Sequence, residues 1–180
     1  MCTVDIQPNG TIAATITDSW EFATISGLHP EILYHTGQIF ILAWHYAWSP
    51  TYTGYIATIS IAANGIITKA FINQDIVGDA AAYPCIFPLA GGGGKYGYFS
   101  TKHGAPNAGI LKTFNIDGSG VITLIDTWNN WNGEVVTNLH QVCHVSTTCY
   151  TGSISDADSD GWVKTIRINN NGTIIKAIID

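Results

Sequence analysis

Thr58-Ile59-Ser60-Ile61-Ala62-Ala63-Asn64-Gly65, followed by Ile66-Ile67-Thr68-Lys69-Ala70-Phe71, decides the fold of this chain. Before Asn64-Gly65, large apolar and polar side chains alternate, which is the period of a strand with one buried face. After it comes a second β-branched run. Asn-Gly between two such runs is the strongest short-range hairpin signal. A type I′ turn, with positive φ at both central residues, is the expectation.

The same pattern occurs four times: a Thr, an Ile three residues later, and a Gly four residues after that. It begins at Thr3, Thr58, Thr113 and Thr165 and closes at Gly10, Gly65, Gly120 and Gly172, a period of 55, 55 and 52 residues. Three copies turn on Asn-Gly and the other on Ser119-Gly120. Near-constant spacing over that distance marks a real internal repeat. A further glycine opens the first strand in three copies, at Gly54, Gly109 and Gly161.

Upstream of each later copy lies a second hairpin. Pro30 to His35 runs to a turn at Thr36-Gly37 and returns through Gln38 to Trp44. Val142-Cys143-His144-Val145 turns at Ser146-Thr147-Thr148 into Cys149-Tyr150. Between Phe87 and Tyr96 the four glycines Gly91 to Gly94 form a longer turn, because a strand interior would not hold them at reasonable cost. Each unit is therefore four antiparallel strands in some 50 residues, and no segment carries helical periodicity with a capping box. The predicted class is all-β, with β-propeller-like four-stranded units. The predicted divisions are a half unit over 3–22 and full units over 23–78, 79–133 and 134–180.

Gly37-Gln38-Ile39-Phe40-Ile41-Leu42-Ala43-Trp44 and Gly54-Tyr55-Ile56-Ala57-Thr58-Ile59-Ser60-Ile61 resemble tandem β-propeller-type repeats of prokaryotic and metagenomic surface proteins. The resemblance covers nearly the whole chain. It implies a fold and a surface location, and it carries no catalytic residues. Three and a half units do not close a ring of four to eight blades. Either the sequence is a piece of a longer array, or pairing is completed by another copy, since an unpaired hairpin edge is a template for strand addition.

Composition narrows the classes. The 180 residues are 46% hydrophobic and 11% charged, against about 25% charged in an ordinary soluble domain. Disorder requires the reverse balance. Even the best apolar run, Ile39 to Ala43, falls far short of the ~20 residues of a membrane-spanning helix, so no membrane insertion is expected. A net charge of −6 with seven scattered Lys and Arg argues against a nucleic-acid partner. Thr, Asn and Gly supply polarity where Glu and Lys usually do, which suits an extracellular or cell-surface protein. Met1-Cys2-Thr3-Val4-Asp5 has neither the basic nor the apolar region of a signal peptide.

Several constellations are candidates for chemistry. Asp156-Ala157-Asp158-Ser159-Asp160-Gly161 has the opening of a calcium loop, with three alternating carboxylates and a permissive glycine. Arg167 stands where the closing Glu belongs, so a solvated acidic turn is the competing reading, and calcium is the only cofactor suggested. Cys143 and Cys149 flank the Ser146-Thr147 turn, where a cross-strand disulfide or two free thiols would fit. Cys2 and Cys85 are expected to stay reduced.

Trp44, Tyr46 and Trp48, and separately Trp128 and Trp131, cluster aromatic rings beside hydroxyls and amides. That is a platform for sugar rings, or else the packing that holds blades together or a protein interface. Asn9-Gly10-Thr11 and Asn171-Gly172-Thr173 are glycosylation sequons on expected turns. The histidines His29 and His140 precede the first strand in two units, a structural position. No Gly-x-Ser-x-Gly, no carboxylate pair suited to glycoside hydrolysis and no phosphate loop occur. The sequence thus leads to a non-catalytic structural repeat that self-associates through strand edges into an oligomer or fibre, with glycan binding as the alternative and a fragment of a larger propeller with an unrecognised enzymatic site as the third reading.

Overall fold

The computed structural model describes all residues except 25–26, 49–50, 80, 103–108, 130–135, 157–159, 178 and 180. Within strands, the side chains of 47–48, 51, 79, 102, 136–140 and 156 also lie outside the description.

Every regular element among the described residues is a strand, and each connection inside a sheet is a meander. The chain opens with a hairpin of β1 (Cys2–Ile6) and β2 (Ile12–Ser19). The first full unit is β3 (Gly27–Thr36), β4 (Ile39–Trp48), β5 (Thr51–Ile61) and β6 (Ile67–Asp79). The second unit holds β7 (Ala81–Pro88), β8 (Lys95–Lys102), β9 (Gly109–Ile116) and β10 (Ile122–Asn129). The third comprises β11 (Val136–Ser146), β12 (Cys149–Asp156), β13 (Gly161–Ile168) and the short β14 (Ile174–Ile175). All pairs are antiparallel, and the three four-stranded sheets stack as propeller-like units.

Alternation sends each strand's two faces to two neighbours. On β5, Ile56 and Thr58 face the second unit, whereas Ala57 and Ile59 face back toward the opening hairpin. Ile56 accordingly joins Ile41, Ala43, Ile86, Tyr98 and Phe114 in a core between units one and two. Phe99 and Leu111 of the second unit pack with Tyr150, Ile154, Ile166 and Ile168 of the third. A third, smaller core of Leu42, Trp44 and Ala57 is covered by Phe22 from beyond the opening hairpin. No sheet has a core of its own, and burial lives in the joints.

The repeated turns are not type I′. Gly10, Gly65, Gly120 and Gly172 lie in the left-handed region at φ 82–93°, while none of the preceding Asn9, Asn64 and Asn171 has positive φ. Gly65 N–H donates to the Ala62 carbonyl at 2.8 Å and Ala62 N–H to the Ile66 carbonyl at 2.9 Å. This is a type I turn closed by a left-handed glycine bulge. The asparagine serves the turn through its side chain instead. Oδ1 of Asn9 accepts from Thr11 N–H at 3.0 Å, that of Asn64 from Ile66 at 3.2 Å and that of Asn171 from Thr173 at 3.0 Å. Such local amide capture is a common turn habit of Asn and does not need a positive φ on that residue.

Candidate functional site: the joints between units and their open ends

The most regular polar feature of the molecule is a stitch between consecutive units, made by the threonine that opens each repeat. Thr3 Oγ1 donates to the Gly65 carbonyl at 2.7 Å, Thr58 to Gly120 at 2.6 Å and Thr113 to Gly172 at 2.6 Å. Thr58 and Thr113 are fully buried, so each hydroxyl satisfies a carbonyl that water does not reach. The turn's left-handed glycine leaves that carbonyl accessible, and the absence of a side chain lets the previous unit close over it. A methyl group at Gly65 would stand 3.0 Å from Thr17, one at Gly120 3.2 Å from Ile72, and one at Gly172 2.6 Å from Ile125.

A second bond repeats beside the first. Ile67 N–H donates to Asp18 at 3.0 Å, Ile122 N–H to Asn73 at 3.3 Å and Ile174 N–H to Asp126 at 2.9 Å. Where the acceptor is a carboxylate, the next unit supplies a lysine: Lys69 lies 2.9 Å from Asp18, and Lys176 lies 3.0 Å from Asp126. Where it is the neutral Asn73, the corresponding residue is the uncharged Leu124. The Lys69 contact and then the Ile67 amide hold the Asp18 carboxyl below its ordinary range. For Asp126 burial pushes upward most strongly, but the Ile174 amide, Lys176 and the Thr127 amide together leave it lowered.

Among the described residues the stitch has two open ends. At the opening hairpin, nothing lies within 4 Å of the position a side chain would take on Gly10, unlike its three equivalents. The outward positions there are bare: Val4 is 45% exposed, Ile6 61% and Ile12 62%. The counterparts of Val4, namely Ile59, Phe114 and Ile166, are at most 1% exposed, and Ile67 and Ile174, at the place of Ile12, at most 4%. At the other end Val163, the counterpart of buried Ile56 and Leu111, is 66% exposed. Thr165, the fourth repeat threonine, has no following turn among the described residues to donate to.

The candidates drawn from sequence fare unevenly. Trp44 is fully buried, stacked on Tyr55 at 5.2 Å and on Phe71 at 5.4 Å, with Phe22 edge-on at 5.3 Å. Both its faces are taken, which corrects its reading as a sugar platform. Tyr46 is half-buried with its ring edge-to-face on Tyr55, and Trp128 packs against the core between units two and three. The Trp48 side chain and all of Trp131 lie outside the described residues.

Cys143 and Cys149 are both free. The turn falls at Thr147-Thr148, which leaves Cys143 opposite Thr151 and Cys149 opposite Ser146, so the two thiols do not face each other as expected. The Ser146 hydroxyl and then Arg167 draw the Cys149 thiol pKa down. Cys85 is buried and its thiol is pushed up to about 12, chiefly by that burial. In the acidic loop, Asp158 and the side chain of Asp156 lie outside the described residues, while Asp160 is exposed at the foot of β13. Among the described residues no three His, Cys, Asp or Glu side chains converge on an ion position. Asn9 and Asn171 are both exposed on their turns.

One cluster escaped sequence reasoning. His29 and Tyr83 occupy the same place on the first strand of consecutive units, both at positive φ (49° and 51°). His29 stacks on His45 at 5.3 Å and meets Tyr83 at 4.6 Å. Strained non-glycine backbone often marks function. Here, however, Tyr83 N–H donates to Nδ1 of buried His45 at 3.3 Å, which places that ring's proton on Nε2 and occupies its lone pair. The sequence reading sets His29 and His140 ahead of the first strand, whereas both lie inside it, in β3 and β11, and the partner Tyr83 carries no signal in sequence.

Fold and joints together define an all-β repeat protein of four-stranded, propeller-like units whose polar stitch is left open at both ends. Comparison with protein-family models and with curated proteins finds no match.

Proposed function

We propose that this chain is a non-catalytic, extracellular or cell-surface structural repeat protein that self-associates through the strand edges at its two ends into an oligomer or fibre. The observation carrying the reading is the bare apolar face of the opening hairpin, formed by residues whose repeat counterparts are mostly core. Burying one such side chain contributes about 1.5–3 kcal/mol, so Val4, Ile6 and Ile12 together are a strong drive toward a partner. A two-stranded hairpin is also marginal by itself and gains from joining a sheet. The low charge favours the same reading, because Lys and Glu are the usual guards against edge-to-edge addition and this hairpin has neither. The uncharged hydroxyl and amide surface supports the external location.

Light scattering across a concentration series tests the proposal. The chain should grow from 19.3 kDa into larger species. A double variant with Ile6→Lys and Ile16→Lys should stay monomeric with an unchanged β-sheet spectrum. A monodisperse monomer at every concentration would contradict the proposal. Deleting the hairpin outright is the poorer test, because Trp20 and Phe22 just beyond it pack on Phe71 and Trp44 of the first unit.

A further inference from the structure

We infer that the two open ends are complementary, and that a second copy of this chain seats its Gly10 turn in the pinch formed by Thr165 and Ile179 of the first. The inference rests on the self-association proposed above and names its surface.

The molecule already contains this contact three times. Thr3 and Thr17 close over Gly65, Thr58 and Ile72 over Gly120, and Thr113 and Ile125 over Gly172. In each, a threonine hydroxyl takes the glycine carbonyl. The side chain one residue before the carboxylate or amide acceptor covers the space that a Cβ would occupy. The pinch needs a glycine for two reasons: the left-handed turn, and the lack of a side chain where the two walls meet.

A fourth pinch is present and empty of any described residue. Thr165 opens the fourth copy of the pattern, and Ile179 stands seven residues after Gly172 as Ile72 stands seven after Gly65 and Thr17 seven after Gly10. Ile179 N–H donates to the Thr165 carbonyl at 3.1 Å, which holds the two walls side by side. Ile179 is 46% exposed, and Val163, two residues before Thr165 on the same face of β13, is 66% exposed. The matching turn is equally ready: Gly10 has φ 82°, close to the 84–93° of its three seated counterparts, and nothing near it.

A second copy therefore offers an acceptor turn of the right chemistry and conformation, bordered by Val4, Ile6 and Ile12 to cover the bare face around Val163. The contact is head-to-tail, so it leaves a new open end on each added copy. It yields a ring if the rotation closes and a filament if it does not.

Four proteins in sedimentation velocity over a concentration series test this: wild type, Thr165→Val, Ile179→Asp and Thr165→Ser. Valine keeps the shape of threonine and removes the donor, so association should weaken about tenfold. Aspartate in the pinch should weaken it about a hundredfold, since a charge would be buried without a partner. Serine keeps the hydroxyl and should associate nearly as wild type. All four should melt alike when dilute. Wild type and variants associating equally would overturn the inference while leaving self-association through another face. Loss of association in the serine variant as well as the valine one would also overturn it. A wild type that stays monomeric throughout would overturn both this inference and the function proposed above.

Discussion

The hairpins β1–β2 and β5–β6 share one sequence pattern and end at opposite extremes of burial. Val4 and Ile6 stand in solvent, whereas Ile59, at the place of Val4, has no exposed surface at all. The difference does not come from propensity, turn or register. Both hairpins close on Asn-Gly, and both glycines hold the same left-handed conformation. It comes from neighbours: β5–β6 has a sheet on either side, while β1–β2 is covered on only one. In a stack where each unit touches only the next, burial belongs to the joint, and stability is a sum of units and interfaces.

The comparison can be broken most forcefully by truncating core positions in matched pairs. Phe114→Ala and Ile59→Ala, each emptying a filled joint, should destabilise by about 2–5 kcal/mol. Val4→Ala at the equivalent place should stay within about 0.5 kcal/mol in dilute solution. Denaturant unfolding of the three variants decides this, and similar losses for all would mean that the hairpin is covered after all.

The stitch gives a smaller contrast. Thr58→Val and Thr113→Val each leave a buried glycine carbonyl unsatisfied, at a cost of about 1–3 kcal/mol. Thr165→Val should leave the dilute monomer's unfolding midpoint where it was. Equal effects at all three sites would show that the hydroxyls act within their own sheet.

The acid-linked effect is smallest. Asp18 and Asp126 are depressed in the folded state, so their contribution is present above the unfolded carboxylate range and fades as pH falls toward their folded values. The partner lysines Lys69 and Lys176 are about half exposed, so solvent screens part of it. A double variant with Asp18→Asn and Asp126→Asn copies what Asn73 already does at the middle joint. It should be slightly less stable at neutral pH and lose less on acidification. Parallel pH–stability curves for variant and wild type would remove these carboxylates from the account.

How much of this is legible in sequence depends on whether the signal is local. The hairpins are, because Asn-Gly between alternating runs states its own geometry, and the period reveals the units. The turn type is not, because Asn-Gly serves both a two-residue turn and a type I turn closed by glycine, and only φ at the asparagine separates them. Trp44 is ambiguous for a similar reason: an aromatic-rich strand end has the same composition whether Phe22 and Phe71 cover it or a sugar does. The Cys143–Cys149 offset arises because the turn falls at Thr147-Thr148 and not at Ser146-Thr147, a one-residue shift that the Ser-Thr-Thr run does not announce. The repeat threonines show in sequence as a spacing, yet their role depends on which sheet lies beside which. That information is in no single repeat.

Hydrogen–deuterium exchange at low and high protein concentration addresses most directly whether the opening hairpin is a joint awaiting its partner. Amides from Val4 to Ile16 should exchange fast when dilute and become protected as concentration rises. Amides of Val163 and Thr165 should gain protection in step, while those of β5 and β9 stay slow throughout. Protection of Val4 to Ile16 that is already complete in dilute monomer, or that never changes with concentration, would contradict it.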